Sequence, residues 1–351
     1  RRLCPRHAIT PRIEADELAK KAGVARIWIK DERARMGLGS FKALGAAYCI
    51  ASAAADALKD KIGASQVWET ALHGQTYATA SAGNHGLSVA AGARIFGAEA
   101  VIYLSRAVPE AFAQRLRDKG ARVVRAGDNY EASMAAAAAD AEENGWTLLS
   151  DSSWPGYSAP AIAVMEGYLQ LAAEAVAQID GVPTHIFLQA GVGGLAASVA
   201  AALRQYYGAE APRVVIVEPE LAACLFDSAR NGKATNFAIR EETIMAGLSC
   251  GEPSGMAWEI LAEEASDFLT IPDSIVAPAV RLLANAETGD PVVEAGESAV
   301  AGLAALIAAC QAPDLAEQLG LGPKARVLLI GSEGVTDPAI FAAIMAGQNN
   351  V

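Results

Sequence analysis

A lysine in a short glycine-rich segment is the first residue whose surroundings indicate chemistry. Lys42 follows Gly37-Leu38-Gly39-Ser40-Phe41 and precedes an apolar, helix-forming run that begins at Ala43. Apolar neighbours remove water from a lysine amine, which lowers its pKa and makes the amine a nucleophile toward carbonyl compounds. Lys42 is therefore a candidate nucleophile where a loop enters a helix, and a surface lysine in a first helical turn is the alternative.

A second segment carries small residues before another predicted helix: Thr79-Ala80-Ser81-Ala82-Gly83-Asn84-His85-Gly86. Backbone N–H groups without partners at the start of a helix can bind an anion such as a carboxylate. The side chain of Asn84 can both donate and accept a hydrogen bond. The segment predicts an anion-binding turn, and capping of the helix by Ser81 or Asn84 is the alternative.

Glycines follow an apolar predicted strand in the third segment, Gln189-Ala190-Gly191-Val192-Gly193-Gly194-Leu195-Ala196, which opens an Ala-rich helix. A loop without side chains lets the backbone approach a phosphate at the start of a helix. Proteins that bind dinucleotides use a similar G-x-G-x-x-G/A loop, followed about twenty positions later by an acidic residue. Glu218 follows the next predicted strand, so this segment alone leaves dinucleotide binding open.

In this order, the Ser40-Phe41-Lys42 lysine, the Ser81–Gly86 turn and the Gly191–Gly194 loop resemble the pyridoxal-phosphate enzymes of fold type II. This is the tryptophan synthase β family, which includes threonine and serine dehydratases. The resemblance covers nearly the whole chain. Four further stretches are similar to the diaminopropionate ammonia-lyases within the family: Trp28–Glu32, Asp151–Tyr157, Thr243–Pro253 and Gly296–Ser298. The third stretch is the most specific, because plain dehydratases lack it.

The resemblance implies a role for each motif. Pyridoxal phosphate would bind covalently to Lys42, which then acts as a base near the substrate Cα, and the protein would supply orientation and proton transfer. The implied cofactor contacts are Lys42, Phe41, Asn84, Gly191, Val192, Gly193, Gly194, Leu195 and Ser332. The implied substrate contacts are Ser81, Ala82, Gly83, His85 and Asp151, and no metal ligand is implied. Within these sets, the glycine loop would hold the phosphate, and the serine turn the substrate carboxylate.

The implied reaction is an α,β-elimination that converts 2,3-diaminopropionate to pyruvate and ammonia. An amine leaves readily only when it is protonated, so a carboxylate near the β-amine is chemically useful. Asp151 matches a family carboxylate and is predicted to be catalytic, with a turn or helix-capping aspartate as the alternative. The family typically has a second carboxylate at the position that Ala82 occupies here. We therefore expect activity only on the L-enantiomer, or on a different β-substituted amino acid.

A segment near the C-terminus, Gly331-Ser332-Glu333-Gly334, resembles the part of the family that faces the pyridine nitrogen of the cofactor. Family members usually place serine or threonine there. Ser332 is the predicted residue, and an alignment shifted by one residue would place Gly331 at that position. A neutral hydroxyl partner leaves the pyridine nitrogen unprotonated, which favours elimination over transamination.

Short β-rich runs alternate with Ala-rich helical stretches, which predicts an α/β protein with mostly parallel sheets. The predicted strands are Ile27–Lys30, Ala100–Leu104, Arg122–Arg125, Thr147–Leu149, Ile186–Gln189, Val214–Val217 and Val327–Ile330. The predicted helices are Phe41–Ser52, His85–Phe96, Pro109–Lys119, Tyr130–Asn144, Ala159–Ile179, Gly194–Tyr206, Met256–Ala265, Ser274–Asn285 and Ser298–Ala309. The resemblance implies two α/β domains with twisted sheets: a large cofactor-binding domain of residues 1–43 and 161–351, and a small inserted domain of residues 44–160.

Composition limits the class of protein. The 351 residues carry 28 Lys and Arg against 40 Asp and Glu, a net charge of −12. An acidic surface disfavours nucleic acid and anionic membranes as partners, and no run of about 18 strongly apolar residues predicts a membrane span. Five scattered cysteines without C-x-x-C spacing, and no recognisable signal peptide, indicate a reducing, cytoplasmic location. A small amino acid is the expected partner, and the resemblance implies a homodimer.

Three other functions compete with the ammonia-lyase. A serine/threonine or hydroxyamino-acid dehydratase of the same fold is favoured by Ala82, whereas the Thr243–Pro253 stretch favours the ammonia-lyase. A dinucleotide-dependent oxidoreductase would account for the glycine loop and Glu218, but it leaves the other two motifs unexplained. A catalytically silent ligand-binding relative is the third. Bound pyridoxal phosphate would colour the purified protein yellow, and Lys42→Ala should lose activity. A colourless protein that takes up NAD but not pyridoxal phosphate would overturn the assignment.

Overall fold

The structure, a computed structural model, describes residues 7–59 and 68–348. Within these residues the chain divides into two compact units, one containing residues 35–168 and the other residues 9–34 and 169–348. We call them the first and the second unit. The domain limits implied by the resemblance fall at other residues and stay a prediction.

The described residues alternate between strands and helices along most of the chain. The strands are β1 (Arg12–Glu14), β2 (Arg26–Asp31), β3 (Thr76–Ala80), β4 (Glu99–Leu104), β5 (Arg122–Arg125), β6 (Thr147–Leu148), β7 (His185–Gln189), β8 (Arg213–Pro219), β9 (Asp267–Ile271) and β10 (Arg326–Gly331). The helices are α1 (Asp16–Ala22), α2 (Lys42–Leu58), α3 (Asn84–Ile95), α4 (Glu110–Asp118), α5 (Tyr130–Asn144), α6 (Ala159–Gln178), α7 (Gly194–Tyr207), α8 (Cys224–Asn231), α9 (Gly255–Glu264), α10 (Val276–Ala284), α11 (Ala301–Gln311), α12 (Pro313–Leu319) and α13 (Pro338–Met345).

The first unit contains a four-stranded sheet in the order β5-β4-β3-β6, in which every pairing is parallel. Strands β3 and β6 are neighbours, with Tyr77 opposite Thr147 and Ala78 opposite Leu148. Functional loops in such sheets lie beyond the carboxyl ends of the strands. The segments that follow β3 and β6, which contain the Ser81–Gly86 turn and Asp151, therefore leave the sheet side by side.

The second unit contains a six-stranded sheet in the order β1-β2-β10-β7-β8-β9. Strand β1 is antiparallel to β2 and the other pairings are parallel. Strand β10 lies directly beside β7, with Leu328 opposite Ile186. The loop that begins after Gln189 and the segment that begins at Ser332 consequently start from adjacent strand ends. The predicted α/β class with mostly parallel sheets is confirmed.

Helix α11 is a core element of the second unit. Leu303 and Leu306 are almost fully buried, and a Cβ atom on Gly302 would lie 2.9 Å from the carbonyl oxygen of Phe187 in β7. Residues Ser298–Gln311, which include α11, and helix α12 form an apolar pair bent by 114°. By length and composition alone, this pair could cross a membrane. No single helix in the described part of the chain is long and apolar enough to cross a membrane.

The seven predicted strands and the nine predicted helices are present, with ends that agree within a few residues except at α2, which was predicted to end at Ser52 and continues to Leu58. Strands β1, β3 and β9 and helices α1, α8, α12 and α13 were not predicted. Strand β3 has the sequence Thr-Tyr-Ala-Thr-Ala, whose small residues give a weak hydrophobic signal although four of the five are buried. The missed strand leads into the Ser81–Gly86 turn, so the sequence analysis singled out the turn but not the strand that positions it.

Candidate active site

Lys42 and Asp151, the two predicted catalytic residues, form an ion pair in the first unit. The distance between Lys42 Nζ and Asp151 Oδ2 is 3.0 Å, and the side chains are 27% and 17% exposed. Lys42 is the first residue of α2, and its backbone N–H donates to Ser40 Oγ at 3.3 Å. The fold therefore brings together an amine and a carboxylate that are 109 residues apart in the chain.

The environment of Asp151 keeps its side chain ionised. Burial alone raises the pKa of this carboxyl, but the positive charge of Lys42, the field of His85 and the hydrogen bond from Lys42 oppose it. The nearby positive charge outweighs burial, so the pKa of Asp151 lies well below its ordinary value. At neutral pH, Asp151 is thus a partner for cations rather than a proton donor.

The segment that carries Asp151 is anchored by Tyr157. The Ser150 N–H donates to the Tyr157 hydroxyl at 2.8 Å, and that hydroxyl donates to the carbonyl oxygen of Leu148 at 3.0 Å. The rings of Trp154 and Tyr157 stack with their centroids 4.2 Å apart. Tyr157 therefore fixes the backbone of residues 148–150, which directly precede Asp151.

The Ser81–Gly86 turn joins β3 to α3, which begins at Asn84. Ser81 Oγ accepts a 3.3 Å hydrogen bond from the Gly83 N–H, and Ala82 has no polar side chain. A Cβ atom on Gly86 would lie 2.4 Å from the carbonyl oxygen of Ser81, so only glycine fits at this position in the first turn of α3. The turn presents a hydroxyl and the start of a helix, as predicted, and its role in substrate binding stays a prediction.

His85 connects this turn to the segment of Asp151. Its ring is buried, and Nε2 lies 2.9 Å from the carbonyl oxygen of Leu149, to which it donates. Nδ1 is buried without a hydrogen-bond partner among the described residues. His85 thus links the segment that follows β3 to the segment that follows β6. Its contact with substrate stays a prediction.

Tyr168 was not predicted, yet it lies against the first turn of α2. Its ring contacts that of Phe41 edge to face, with centroids 4.8 Å apart. A Cβ atom on Gly45 would lie 2.7 Å from Tyr168 Cε1, so a glycine at this position makes room for the ring. The only sequence signal was a glycine three residues after Lys42.

The glycine loop of the second unit follows β7 and opens α7 at Gly194. Gly193 has φ +98°, a left-handed conformation that favours glycine. A Cβ atom on Gly191 would lie 2.9 Å from Cys250 Sγ and 3.2 Å from the carbonyl oxygen of Gly247. Because side chains are excluded here, the backbone N–H groups at the start of a 14-residue helix form a cradle suited to a phosphate.

Two other residues of this predicted phosphate site support the loop. The carbonyl oxygen of Val192 accepts a 2.9 Å hydrogen bond from the Ser254 N–H. Leu195 is buried in the first turn of α7. The family-specific Thr243–Pro253 stretch packs against the same loop through Gly247, whose N–H donates to Ser298 Oγ at 3.0 Å. Two of the four family-specific stretches are therefore joined directly beside the cradle.

Ser332 lies just beyond the end of β10 and is buried. Gln189, at the end of β7, donates from Nε2 to Ser332 Oγ at 3.0 Å and to the carbonyl oxygen of Ile330 at 2.7 Å. Its Oε1 is buried with no hydrogen-bond partner within the described ranges. Gly331 offers no side-chain group, so Ser332 is the hydroxyl at this edge, and its contact with a pyridine nitrogen stays a prediction.

Glu218 does not serve the dinucleotide interpretation. Its carboxylate is completely buried and accepts hydrogen bonds from the N–H groups of Leu225 at 2.9 Å and Phe226 at 2.7 Å. Burial raises the pKa of this carboxyl to about 8, against the lowering effect of those N–H groups. Glu218 is thus committed to the start of α8 and is not available to bind a ribose.

A lysine at a loop-to-helix junction in the first unit, and a glycine loop between a parallel strand and a helix in the second, are features of enzymes that use pyridoxal phosphate. The family model described as "Pyridoxal-phosphate dependent enzyme" matches residues 4–333, and the chain belongs to this family. Its cofactor is pyridoxal phosphate, and its fold is that of the fold type II enzymes.

Within the family, the chain is similar to diaminopropionate ammonia-lyases. It is 37% identical to the enzyme of Escherichia coli K12 over 93% of this chain and 85% of that protein. It is 34% identical to the Salmonella typhimurium enzyme over 97% of this chain and 89% of that protein. The crystal structure of the Escherichia coli enzyme in complex with D-serine superposes with a TM-score of 0.90, at 35% identity, over 98% of this chain and 89% of that chain.

Proposed function

We propose that the chain is a carbon–nitrogen lyase that converts L-2,3-diaminopropionate to pyruvate and two molecules of ammonia. The observation that carries this proposal is the 3.0 Å pair of Lys42 and Asp151 at the start of α2. An elimination of ammonia needs a base for the Cα proton and an anion for the departing ammonium. The pair contains one group suited to each task.

The described residues fit the cofactor. The cradle at Gly191 is too close to Cys250 and Gly247 for any side chain, as expected where backbone must approach a phosphate. Lys42 offers a primary amine, and the hydroxyl of Ser332 is held in place by Gln189. Lys42 would hold the cofactor covalently, Gly191–Gly194 would bind its phosphate, and Asn84, Phe41 and Ser332 would contact its ring. Pyridoxal phosphate, when bound, supplies the electron sink that makes the Cα proton acidic.

Lys42 and Asp151 then divide the proton chemistry. Lys42, released by the substrate amine, takes the proton from Cα through Nζ. Asp151 stays ionised at neutral pH and pairs with the β-ammonium of the substrate, which keeps that amine protonated and ready to leave as ammonia. The Cβ–N bond breaks as the Cα–H bond gives its electron pair to the new double bond. Hydrolysis of the remaining unit yields pyruvate and the second ammonia.

Selectivity for the L-enantiomer follows from Ala82. The Ser81–Ala82–Gly83 turn contains no carboxylate, whereas the resemblance places an acidic residue at the position of Ala82. Only one carboxylate, Asp151, then remains among the predicted substrate contacts. Because an acid–base group acts only from the face on which it lies, Lys42 and Asp151 together serve one enantiomer, and no carboxylate at residue 82 is present to serve the other.

A substrate panel tests the proposal. Pyruvate and ammonia release would be measured with L- and D-2,3-diaminopropionate, L-serine, L-threonine and 3-hydroxyaspartate. We expect L-diaminopropionate to give the highest kcat/KM, with the D-enantiomer about 10²-fold slower, the contribution of one general acid–base group. Higher activity on serine or threonine would assign the chain to the dehydratases instead.

Variants at the turn provide the matched comparison. Ala82→Asp restores the missing carboxylate, and we expect it to raise activity on D-diaminopropionate more than on the L-enantiomer. Ala82→Asn adds similar volume without charge and should leave the enantiomer ratio near that of the wild type. Comparable wild-type turnover of both enantiomers would refute the selectivity argument and leave the lyase assignment intact.

We further propose a cytoplasmic homodimer that acts in amino-acid catabolism. The family resemblance supports the dimer, and five scattered cysteines without C-x-x-C spacing support a reducing compartment. Light scattering coupled to size-exclusion chromatography measures the first point: a mass near twice 36.2 kDa is expected, and a mass near 36.2 kDa would contradict it.

A further inference from the structure

The hydroxyl of Tyr168 is a buried polar group whose position is otherwise unexplained. The residue is 2% exposed, and its Oη has no hydrogen-bond partner among the residues that the structure describes. Burying a hydroxyl without a partner costs free energy, whereas phenylalanine would fill the same space without that cost. A group retained at such a cost calls for a function.

The chain makes special room for this ring beside Lys42. Gly45 and Gly167 allow α2 and α6 to approach closely: a Cβ atom on Gly45 would lie 2.7 Å from Tyr168 Cε1, and one on Gly167 would lie 2.5 Å from the carbonyl oxygen of Leu44. The ring of Phe41, the residue that precedes Lys42, also contacts the Tyr168 ring. Tyr168 therefore packs against the helical turn that carries Lys42, the ion-pair partner of Asp151.

The pair has to separate for the proposed reaction, because Lys42 cannot hold the cofactor and remain the ammonium partner of Asp151. The carboxylate then needs another donor to keep its place and its charge. We propose that Tyr168 is the positioning residue that meets this need, donating a hydrogen bond from its hydroxyl to the Asp151 carboxylate when Lys42 is engaged by the cofactor. This inference rests on the proposed function.

The electrostatics of the phenol agree with a donor role. Burial, and secondarily the negative charge of Asp151, hold the pKa of Tyr168 well above its ordinary value. The hydroxyl therefore keeps its proton over the whole working range of the enzyme, and it can donate a hydrogen bond to a carboxylate at any such pH.

Tyr168→Phe removes the hydroxyl and retains the ring. A bond to a charged group contributes enough that we expect kcat to fall about 10- to 100-fold. The acid limb of the kcat profile, which reports protonation of Asp151, should move to higher pH by about one unit. A second readout needs no turnover: the midpoint of the pH titration of the bound cofactor's visible absorbance should shift upward, because the Asp151 charge is less compensated.

Thermal unfolding of the same variant separates positioning from packing. Because Oη has no partner in the structure, the Tm of the cofactor-free protein should be unchanged or higher. The matched control is Tyr103→Phe in β4, whose buried hydroxyl donates to Asp140. That variant should lower Tm by about 2–4 °C and leave kcat and the absorbance titration unchanged.

The outcomes distinguish this inference from the proposed function. Wild-type kcat, pH profile and absorbance titration in Tyr168→Phe would overturn the positioning role, whatever the substrate. An absorbance shift in Tyr168→Phe, but not in Tyr103→Phe, would support it even if diaminopropionate proved not to be the substrate. If Tyr168→Phe unfolds at a lower temperature than the wild type and loses the cofactor, the hydroxyl is structural and the inference fails.

Discussion

In the first unit the candidate functional groups are side chains, whereas in the second unit they are mostly backbone amides. Lys42 and Asp151 carry opposite charges, remain partly exposed and lie 3.0 Å apart. The Gly191–Gly194 loop offers backbone N–H groups instead, and it has no room for a side chain at Gly191, where a Cβ atom would lie 2.9 Å from Cys250 Sγ. Substitution should therefore change chemistry in the first region and binding in the second.

The pKa of a carboxyl group also shifts in opposite directions in the two units. In the first unit, the attraction of Lys42 outweighs burial and lowers the pKa of Asp151. In the second unit, Glu218 is buried against N–H groups rather than beside a cation, and burial raises its pKa to about 8. A cation within hydrogen-bond distance is the physical difference between them. This contrast gives three predictions, of decreasing size.

The largest effect is expected at Lys42. Lys42→Ala removes the nucleophile and the base together, so we expect kcat to fall by about 10³-fold or more, with loss of the visible absorbance of the bound cofactor. Lys42→Arg keeps the charge beside Asp151 but cannot bind the cofactor covalently, and it should be equally inactive. Pyruvate release and absorbance spectra measure both variants.

Lys59→Ala is the control for this prediction. Lys59 lies just beyond the other end of α2, and its side chain is 73% exposed and paired with Asp56. Its removal should leave kcat and colour unchanged. Substantial activity in Lys42→Arg would show that Lys42 acts through its charge alone. It would contradict the claim that side chains of the first unit carry out the chemistry.

A smaller effect is expected at Gly191. Gly191→Ala forces Cys250 or the backbone of Gly247 to move, and overpacking of this kind costs about 1–3 kcal/mol. Because Gly191 is part of the proposed phosphate cradle, strain at this residue should move the cradle's N–H groups, and we expect the Kd for pyridoxal phosphate to rise about tenfold or more, with kcat at saturation little changed. Fluorescence titration of the cofactor-free protein measures this Kd.

Gly322→Ala serves as the matched control, since a Cβ atom there meets nothing within 4 Å and its φ is not in the left-handed region. Wild-type cofactor affinity in Gly191→Ala would mean that the phosphate is bound elsewhere. A fall in kcat with unchanged affinity would mean that the loop belongs with the chemistry, and the division of labour between the regions would be wrong.

Local motifs in the sequence predicted much of the candidate site. Residue type and spacing made Lys42 and the glycine loop candidates, and the order of the three motifs, which resembles a known family, gave them their predicted chemistry. Their supports were harder to predict, since these depend on packing between distant elements. Strand β3 is built of small residues with a weak signal, and Tyr168 acquires its position only when α6 packs on α2 through Gly45. Likewise, Glu218 resembled a ribose ligand until the fold placed it at the start of α8.

The smallest effect is expected at Glu218 and concerns stability. The ordinary pKa of this carboxyl is 4.5, and in the folded protein it is about 8. Between these values, the unfolded chain has released a proton that the folded protein still holds. The free energy of unfolding should therefore decline as pH rises from 4.5 to 8, by an amount on the order of a few kcal/mol.

Glu218→Gln removes this titration. Relative to the wild type, the variant should gain stability steadily from pH 5 to pH 8, whatever constant cost arises from losing one acceptor for the N–H groups of Leu225 and Phe226. Urea unfolding at pH 5, 6.5 and 8 measures the difference, and Glu220→Gln controls for loss of a charge at an exposed neighbour. Parallel stability curves for wild type and Glu218→Gln would show that the N–H groups keep this carboxylate ionised. In that case helix N-terminal amides would match a lysine in holding a buried charge, and the contrast with Asp151 would not depend on a cation.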